Sequence, residues 1–463
     1  MNVNIDSGTT IQNILADQRQ FFNSGRTKVL DFRLENLSRL KKAIIQNEAA
    51  ILKALKNDLH KSAYEGYLAE IGLALEEIRF VRRHLKSWVK PRKVRTPFIL
   101  WFGSSAIHSE PYGISLIISP WNYPLQLTIL PLISSMAAGN CTIIKPSEYA
   151  PHTSAMISEI IAGSFDSHYV AVIEGDAQVS QDLLKERFDY ILFTGSETVG
   201  KIVMSAAAKN LTPVTLELGG KSPCIVDQDA NIDLAARRIA SGKFINAGQS
   251  CVAPDYLLVH QSNKQKLLDQ IKVYLRKFYG EDPRKSSDYG RIIDTPRFDR
   301  LTALLDRGDI IVGGQTDRDD LYIAPTLLEH VSWNDPVMQD EIFGPILPVL
   351  EFKDLSEVVS IINSRPKPLA LYFFSNRPNN CQRIIKEVSF GGGCINDTLA
   401  HFINPNLPFG GTGNSGTGYY HGKAGFDTFS HQKSIFKKWF NFDTPLRFPP
   451  YKKKLAFLKK IMR

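Results

Sequence analysis

Three residues have the chemistry for one reaction on a carbonyl group. Cys251 lies in Phe244-Ile-Asn-Ala-Gly-Gln-Ser-Cys251. A cysteine attacks carbon only as its thiolate, and backbone donors or cations around it lower its pKa. Following Gly248 and Gln249 at a helix-to-loop junction, Cys251 could be held close to a substrate. Taken alone, a cysteine is more often an inert core residue. Glu217 lies in Leu216-Glu-Leu-Gly-Gly-Lys-Ser-Pro223. Flanking leucines would partly desolvate its carboxylate, raising the pKa and making it a usable general base near neutral pH. The plainer reading is a salt-bridged glutamate at a strand end, with Gly219 and Gly220 forming a turn. Asn122 sits in Ser119-Pro-Trp-Asn-Tyr-Pro124. Prolines on both sides fix the backbone, which suits an amide aimed at a developing oxyanion. Asparagine in a proline-rich turn is also ordinary turn chemistry.

Other motifs bear on phosphates and metals. Gly195-Ser-Glu-Thr-Val-Gly-Lys201 nearly matches a P-loop, but Ile202 stands where a hydroxyl should meet magnesium, which excludes an ATPase. The segment follows an apolar run, Tyr190 to Phe193, and precedes a helix, so it could still contact a dinucleotide pyrophosphate. Gly411-Thr-Gly-Asn-Ser-Gly416 fits a glycine fingerprint literally but lacks the strand and helix around it, and reads as a flexible loop. Lys145 and Glu148, in Lys145-Pro-Ser-Glu148, could bind a ribose diol at a strand's carboxyl end. A carboxylate there would repel a 2′-phosphate, favouring NAD over NADP; a surface ion pair beside a turn is the alternative. The ten histidines show no metal-binding spacing, so no metal site is expected.

The elements that would hold these residues follow from pattern. A chain of 463 residues implies two or three domains. Helical spacing runs from Ile11 to Val89, with Leu37, Leu40, Ile44, Ile51, Leu52 and Leu55 as examples, and Pro91 and Pro97 end it. Phe98 to Phe102 could form a hairpin with Ile107 to Glu110. From Gly113 on, short β-branched runs alternate with helical segments: Gly113–Ser119, Cys141–Ile144, Tyr169–Ile173 and Tyr190–Phe193. A second series follows Val214: Pro223–Val226, Tyr256–His260, Ile310–Val312 and Leu347–Glu351. Alternation of this kind predicts two α/β domains with parallel sheets.

Composition excludes several classes. Hydrophobic residues at 43% and charged residues at 22% are globular values. Five cysteines without a CxxC pair suggest free thiols in a reducing compartment. The Met1–Thr10 segment lacks the basic start and apolar run of a secretory leader, and the longest apolar stretch, Ile129 to Ile144, is interrupted, so a cytoplasmic location is expected. Much of the net charge of +9 comes from Arg447, Lys452, Lys453, Lys454, Lys459, Lys460 and Arg463. With no aromatic platform or nucleic-acid-binding signature, no nucleic-acid partner is expected. Leu455, Leu458 and Met462 at helical spacing among those lysines suit peripheral contact with an anionic membrane, and equally a solvated tail.

Six motifs together resemble the aldehyde dehydrogenases, in that family's order: Pro120-Trp-Asn-Tyr-Pro124, Lys145-Pro-Ser-Glu148, Phe193-Thr-Gly-Ser196, Leu216-Glu-Leu-Gly-Gly220, Gly248-Gln-Ser-Cys251 and Glu341-Ile-Phe-Gly-Pro345. The resemblance extends from about residue 10 to about 445, and the segment Pro408 to His431 resembles the class 3 branch, which includes fatty and aromatic aldehyde dehydrogenases. It implies an α/β fold with a Rossmann-like NAD(P)-binding domain (1–92 and 117–216), an α/β catalytic domain (217–420), a bridging and oligomerisation element (93–116 and 421–447) and a basic tail (448–463). It implies Cys251 as nucleophile, Glu217 as general base, and Asn122 with the Cys251 backbone N–H as oxyanion hole. Lys145 and Glu148 would hold the adenine ribose, Gly195 and Ser196 the pyrophosphate, Glu341 and Phe343 the nicotinamide ribose and ring. Tyr123, Ser241 and Ser250 would line the substrate pocket. Ser241 stands where a tryptophan is expected, so a wider pocket for medium- or long-chain apolar aldehydes is predicted. NAD is the expected cofactor, with NADP as the alternative, and a homodimer the expected assembly. Two rivals remain: a CoA-acylating enzyme, distinguished by its thioester acceptor, and a silent binding protein on the same fold.

Overall fold

The computed structural model describes residues 7–462 apart from 101, 441, 442 and 444. The N-terminal segment through Asp6, and Arg463, thus lie outside the described residues. Helices Ser7–Asn23, Leu30–Gln46, Glu48–Leu59 and Gly72–Trp88 account for the helical first part of the chain. Leu37, Leu40, Ile44, Ile51 and Leu55 turn inward and are fully buried.

The β-branched runs form the centre of a six-stranded sheet. Its order is Gly416–Thr417, Val214–Leu218, Tyr190–Gly195, Ile114–Ile118, Cys141–Lys145 and Val170–Val172. All pairings are parallel except the first. Helix Gln126–Ala138 is buried at every position, which is why its sequence is apolar all round rather than amphipathic. It ends at Gly139, whose φ of 98° lets the chain turn into Cys141–Lys145. The interrupted apolar stretch noted in the sequence is thus a buried helix, a turn and a strand. Among the described residues no helix is long and apolar enough to cross a membrane.

The second sheet has seven strands, in the order Asp309–Val312, Thr326–Glu329, Ile346–Phe352, Tyr256–His260, Pro223–Val226, Ala370–Phe374 and Gly392–Ile395. Its pairings are parallel except at the Asp309–Val312 edge. The third sheet is antiparallel, with Gly103–Pro111 between Arg92–Val94 and Ser430–Lys438.

Two expectations need correction. The hairpin pairs Arg92–Val94 with Gly103–Pro111, whereas Phe98–Leu100 is a 3₁₀ turn inside the connection. The proline at 97 and the positive φ of Phe102 (67°) suit a turn rather than a ladder. The Gly411–Gly416 segment is not a free loop. Gly416 and Thr417 pair with Glu217 and Leu216, and a Cβ at Gly416 would meet the Leu216 carbonyl oxygen at 2.1 Å. Its glycines allow the close approach that pins this segment beside Glu217.

Candidate active site

In the six-stranded sheet the winding direction reverses between Ile114–Ile118 and Tyr190–Gly195, since the next strands in sequence lie on opposite sides. Loops leaving such a pair diverge and open a crevice at the strands' carboxyl ends, where ligands bind in open α/β sheets. The motifs picked out from the sequence leave those ends. Pro120–Pro124 follows the first strand of the pair, Gly195 and Ser196 close the second, and Lys145 and Glu217 end their neighbours.

The crevice is a cavity of about 220 Å³ that brings together Asn122, Gly195, Ser196, Glu217, Cys251, Glu341 and Phe343. Lys145 and Glu148 do not line it. They form a 3.0 Å ion pair at the adjacent strand end, with the ammonium also donating to the Pro146 carbonyl. Tyr123 and Ser250, the chain neighbours of Asn122 and Cys251, do not line the cavity either. Ser241, on the last turn of helix Ile232–Phe244, is exposed and lines no part of this cavity.

Cys251 is delivered by an irregular turn. Helix Ile232–Phe244 breaks into a segment where Asn246, Ala247 and Gly248 all have positive φ (52°, 50° and 75°). Such a run is strained for residues other than glycine and persists only where surroundings over-determine it. Here they do. Asn246 Nδ2 donates to the carbonyls of Asn122 and Gln249, and Gln249 Nε2 donates to the carbonyls of Asn246 and Arg291. Gly248 is obligatory for a second reason: a Cβ there would lie 2.3 Å from the Gly344 carbonyl oxygen. Asn122 is tied to the same turn, donating from Nδ2 to the Gln249 carbonyl at 3.1 Å. An amide nitrogen has two protons, so one remains for another acceptor.

The Glu341–Phe343 segment is anchored by Asp255. Its carboxylate accepts from Lys221 and from the Ile342 N–H, while the Lys221 ammonium also donates to the carbonyls of Val337 and Asp340. Phe343 is edge-on to Trp121, with ring centroids 5.4 Å apart.

Electrostatics set the resting protonation. Burial pushes the Cys251 thiol well above its usual range, and the carboxylates of Glu341 and Glu217 push it the same way. Backbone N–H groups of Cys251 and Val252 oppose this and lose. The lowering expected from backbone donors alone is therefore reversed. Burial alone raises Glu217 well above the ordinary carboxylate range, and neither of its oxygens has a hydrogen-bond partner among the described residues. An unpaired buried carboxyl is costly in a purely structural setting. Glu341 is pushed up to about 8, first by burial and then by Asp255, against the Gly220 N–H and the ammonium groups of Lys221 and Lys243.

That last shift predicts a stability effect. Between the ordinary 4.5 and about 8 the folded chain holds a proton that the unfolded chain releases. The stability of the neutral form is complete below the lower value and lost as pH rises through the upper one. Glu341→Gln is therefore expected to stabilise the fold more at about pH 9 than at about pH 5, by on the order of 1–3 kcal/mol at the higher pH, read as a larger rise in Tm there. Equal gains at both pH values would contradict the shift.

The residues around the cavity fit one end of a dinucleotide. The cavity lies at the reversal of strand order, the buried Thr194 Oγ1 at its wall has no partner among the described residues, and the helix Glu197–Ala208 starts at its edge, with Ser196 as N-cap. Sequence reasoning missed Trp121, Arg297 and Arg300 in its lining. The Arg297 guanidinium sits between the Trp121 and Tyr149 rings, 4.8 and 4.3 Å from their centroids. No local signal marks these arginines, since only folding brings the 297 region to the 120 loop. Among the described residues no cluster of His, Cys, Asp or Glu could hold a metal ion.

Fold and cleft together define an α/β enzyme of the dinucleotide-binding kind with a thiol and a buried carboxyl in the crevice. The family model described as "Aldehyde dehydrogenase family" matches residues 4–435. The chain is 52% identical over 445 residues to the 4,4'-diaponeurosporen-aldehyde dehydrogenase of Staphylococcus aureus, covering 96% of this chain and 97% of that protein. It is 47% identical to the mouse aldehyde dehydrogenase named dimeric NADP-preferring, covering 92% of this chain and 94% of the relative. A solved substrate-bound state of Staphylococcus aureus AldH superimposes with a TM-score of 0.96 at 50% identity, covering 98% and 99% of the two chains. An NAD+ complex of an indole-3-acetaldehyde dehydrogenase matches at TM-score 0.85 and 26% identity, covering 93% and 89%. The chain belongs to the aldehyde dehydrogenase family, and its relatives include class 3 members, among them human aldehyde dehydrogenase family 3 member B1 at 45% identity. It is an oxidoreductase that catalyses NAD(P)-dependent oxidation of an aldehyde.

Proposed function

We propose that the aldehyde is oxidised to its carboxylic acid through a thioester on Cys251. One observation carries this reading: the Cys251 thiol and the unpartnered Glu217 carboxyl share one cavity with Asn122. Cys251 first gives up its thiol proton to solvent; the thiolate Sγ then bonds to the carbonyl carbon, and the C=O becomes an alkoxide. The free proton of the Asn122 amide and the Cys251 backbone N–H meet that oxygen as it gains charge. Bound NAD(P) supplies the acceptor for the hydride that leaves the carbon. Glu217 then takes a proton from water as its oxygen adds to the thioester, and collapse of the adduct returns the Cys251 thiolate and releases the acid. Lys145 and Glu148 hold the adenine ribose, Gly195 and Ser196 the pyrophosphate, and Glu341 and Phe343 the nicotinamide ribose and ring.

NAD is the preferred cofactor in this reading. The Glu148 carboxylate, paired with Lys145, would face the 2′-phosphate of NADP. The substrate in this reading is a medium- or long-chain apolar aldehyde, a class that follows from the family resemblance, since Ser241, Tyr123 and Ser250 lie outside the cavity around Cys251. The name of the staphylococcal relative adds 4,4'-diaponeurosporen-aldehyde to the compounds worth testing. Steady-state kinetics with both cofactors and an alkyl aldehyde series test these points together. We expect kcat/KM at least about tenfold higher with NAD, a difference of about 1.4 kcal/mol, and not falling as the chain lengthens. Equal use of NADP, or a steady fall with chain length, would remove the corresponding assignment.

The domain limits given by the resemblance remain part of this reading, as does a cytoplasmic, homodimeric enzyme; the mouse and rat relatives are named dimeric. Peripheral membrane contact through the tail also belongs here. Helix Leu455–Met462 exposes Leu455, Phe457 and Met462 beside Lys459 and Lys460, an amphipathic basic surface.

A further inference from the structure

Two fully buried charges next to the cleft have no part in the steps above. Lys61 and Glu70 are both 0% exposed, and their ion pair spans 2.5 Å. The Lys61 ammonium has three protons and three partners: the Glu70 carboxylate, the Asn122 carbonyl oxygen at 2.8 Å, and the face of the Tyr123 ring, 4.0 Å from its centroid. The second Glu70 oxygen accepts from the N–H groups of Leu125 (2.9 Å) and Gln126 (3.2 Å). The pair therefore grips the Asn122–Gln126 segment at both ends. A second donor, Asn246 Nδ2, meets the same Asn122 carbonyl at 2.8 Å from the Cys251 side.

Local structure is distorted to deliver Glu70. Residues Tyr67–Ile71 form a single π-turn between two α-helical stretches, with the Gly72 N–H bonded to the Tyr67 carbonyl. Such bulges concentrate at functional sites. Stability gives little reason to keep the pair, because exchanging a buried ion pair for apolar residues is often neutral or stabilising. What it does supply is a fixed backbone at Asn122.

We propose that Lys61 and Glu70 are positioning residues for the oxyanion step, acting through the Asn122 main chain to hold its amide on the line of the developing alkoxide. This rests on the assignment of Asn122 as an oxyanion donor. A misplacement of about 1 Å costs on the order of 100-fold in such a step. Neither residue touches the aldehyde or the cofactor in this account.

The test uses the double variant Lys61→Met/Glu70→Gln, which leaves no unpaired buried charge, in wild-type and Asn122→Ala backgrounds. Three quantities are read: the single-turnover rate of NADH formation, the rate of Cys251 alkylation by iodoacetamide, and the KM for cofactor. Alkylation develops no oxyanion, so a positioning role leaves it alone. We expect NADH formation to fall about 10- to 100-fold, with alkylation and cofactor KM within about twofold of wild type. In the Asn122→Ala background the pair should add less than about twofold, because its effect passes through that amide. An unchanged rate, an equal loss in the Asn122→Ala background, or a parallel drop in alkylation would each overturn the proposal. If Asn122→Ala by itself keeps full activity, the oxyanion assignment fails instead. Should the double variant not fold, the same readouts on Lys61→Gln/Glu70→Gln decide, a pair that is neutral and keeps hydrogen-bonding ends, with about a threefold or greater loss expected and no loss contradicting.

Discussion

Cys251→Ala is expected to reduce aldehyde oxidation to background, a loss on the order of 10⁴-fold or more, while cofactor still binds. The size of the effect follows from the absence of a substitute. Cys141 and Cys224 are fully buried within strands, and neither they nor Cys381 and Cys394 line the cleft. Water could attack the aldehyde without the thiol, but the adduct would lack the sulfur on which the two-step route depends. Steady-state NADH production and cofactor titration by fluorescence are the two measurements. Retention of more than about 1% of the activity would be incompatible with a covalent route through this sulfur.

The second large effect is expected for Glu217→Gln: one burst of NADH per active site, then a steady-state rate lower by about 100- to 10,000-fold. Burial already favours the neutral acid at this position, and glutamine resembles that form in shape and charge. The variant should therefore fold at least as well as wild type, so that lost turnover is not lost structure. It should also lose a pH dependence. Because Glu217 sits well above the ordinary carboxylate range, wild-type hydrolysis of the thioester should rise with pH as the carboxylate forms, and the variant should lack that limb. Normal steady-state turnover in Glu217→Gln would free this residue of its assigned role.

How much of this was legible in the sequence depended on whether the signal was local. Ile114–Ile118, Cys141–Lys145 and Tyr256–His260 are buried on both faces and so appear as continuous apolar runs. Ser430–Lys438 is as long as any strand here but almost wholly exposed, so it has no apolar pattern to find. Gly416–Thr417 is too short for any pattern and is set by its approach to the Glu217 strand. At the cleft, Asn122, Glu217 and Cys251 stand in motifs whose glycines and prolines announce unusual backbone. Lys61 lies in the short link between helices, Glu70 in a π-turn and Arg297 in a short helix, none with a local motif, and only folding brings them against the 120–126 segment or its Trp121 ring. The Cys251 thiol shows the same limit in electrostatics. Its neighbouring backbone donors are readable from the chain, but the burial that outweighs them, aided by the sequence-remote carboxyl groups of Glu341 and Glu217, comes only with folding.

The most direct examination of the chemistry is intact and peptide mass spectrometry of Glu217→Gln after mixing with cofactor and a saturated aldehyde. The peptide carrying residue 251 should gain the mass of one acyl group, in step with the NADH burst and absent from Cys251→Ala/Glu217→Gln. A burst that leaves that peptide unmodified, or an acyl group on another residue, would contradict the account.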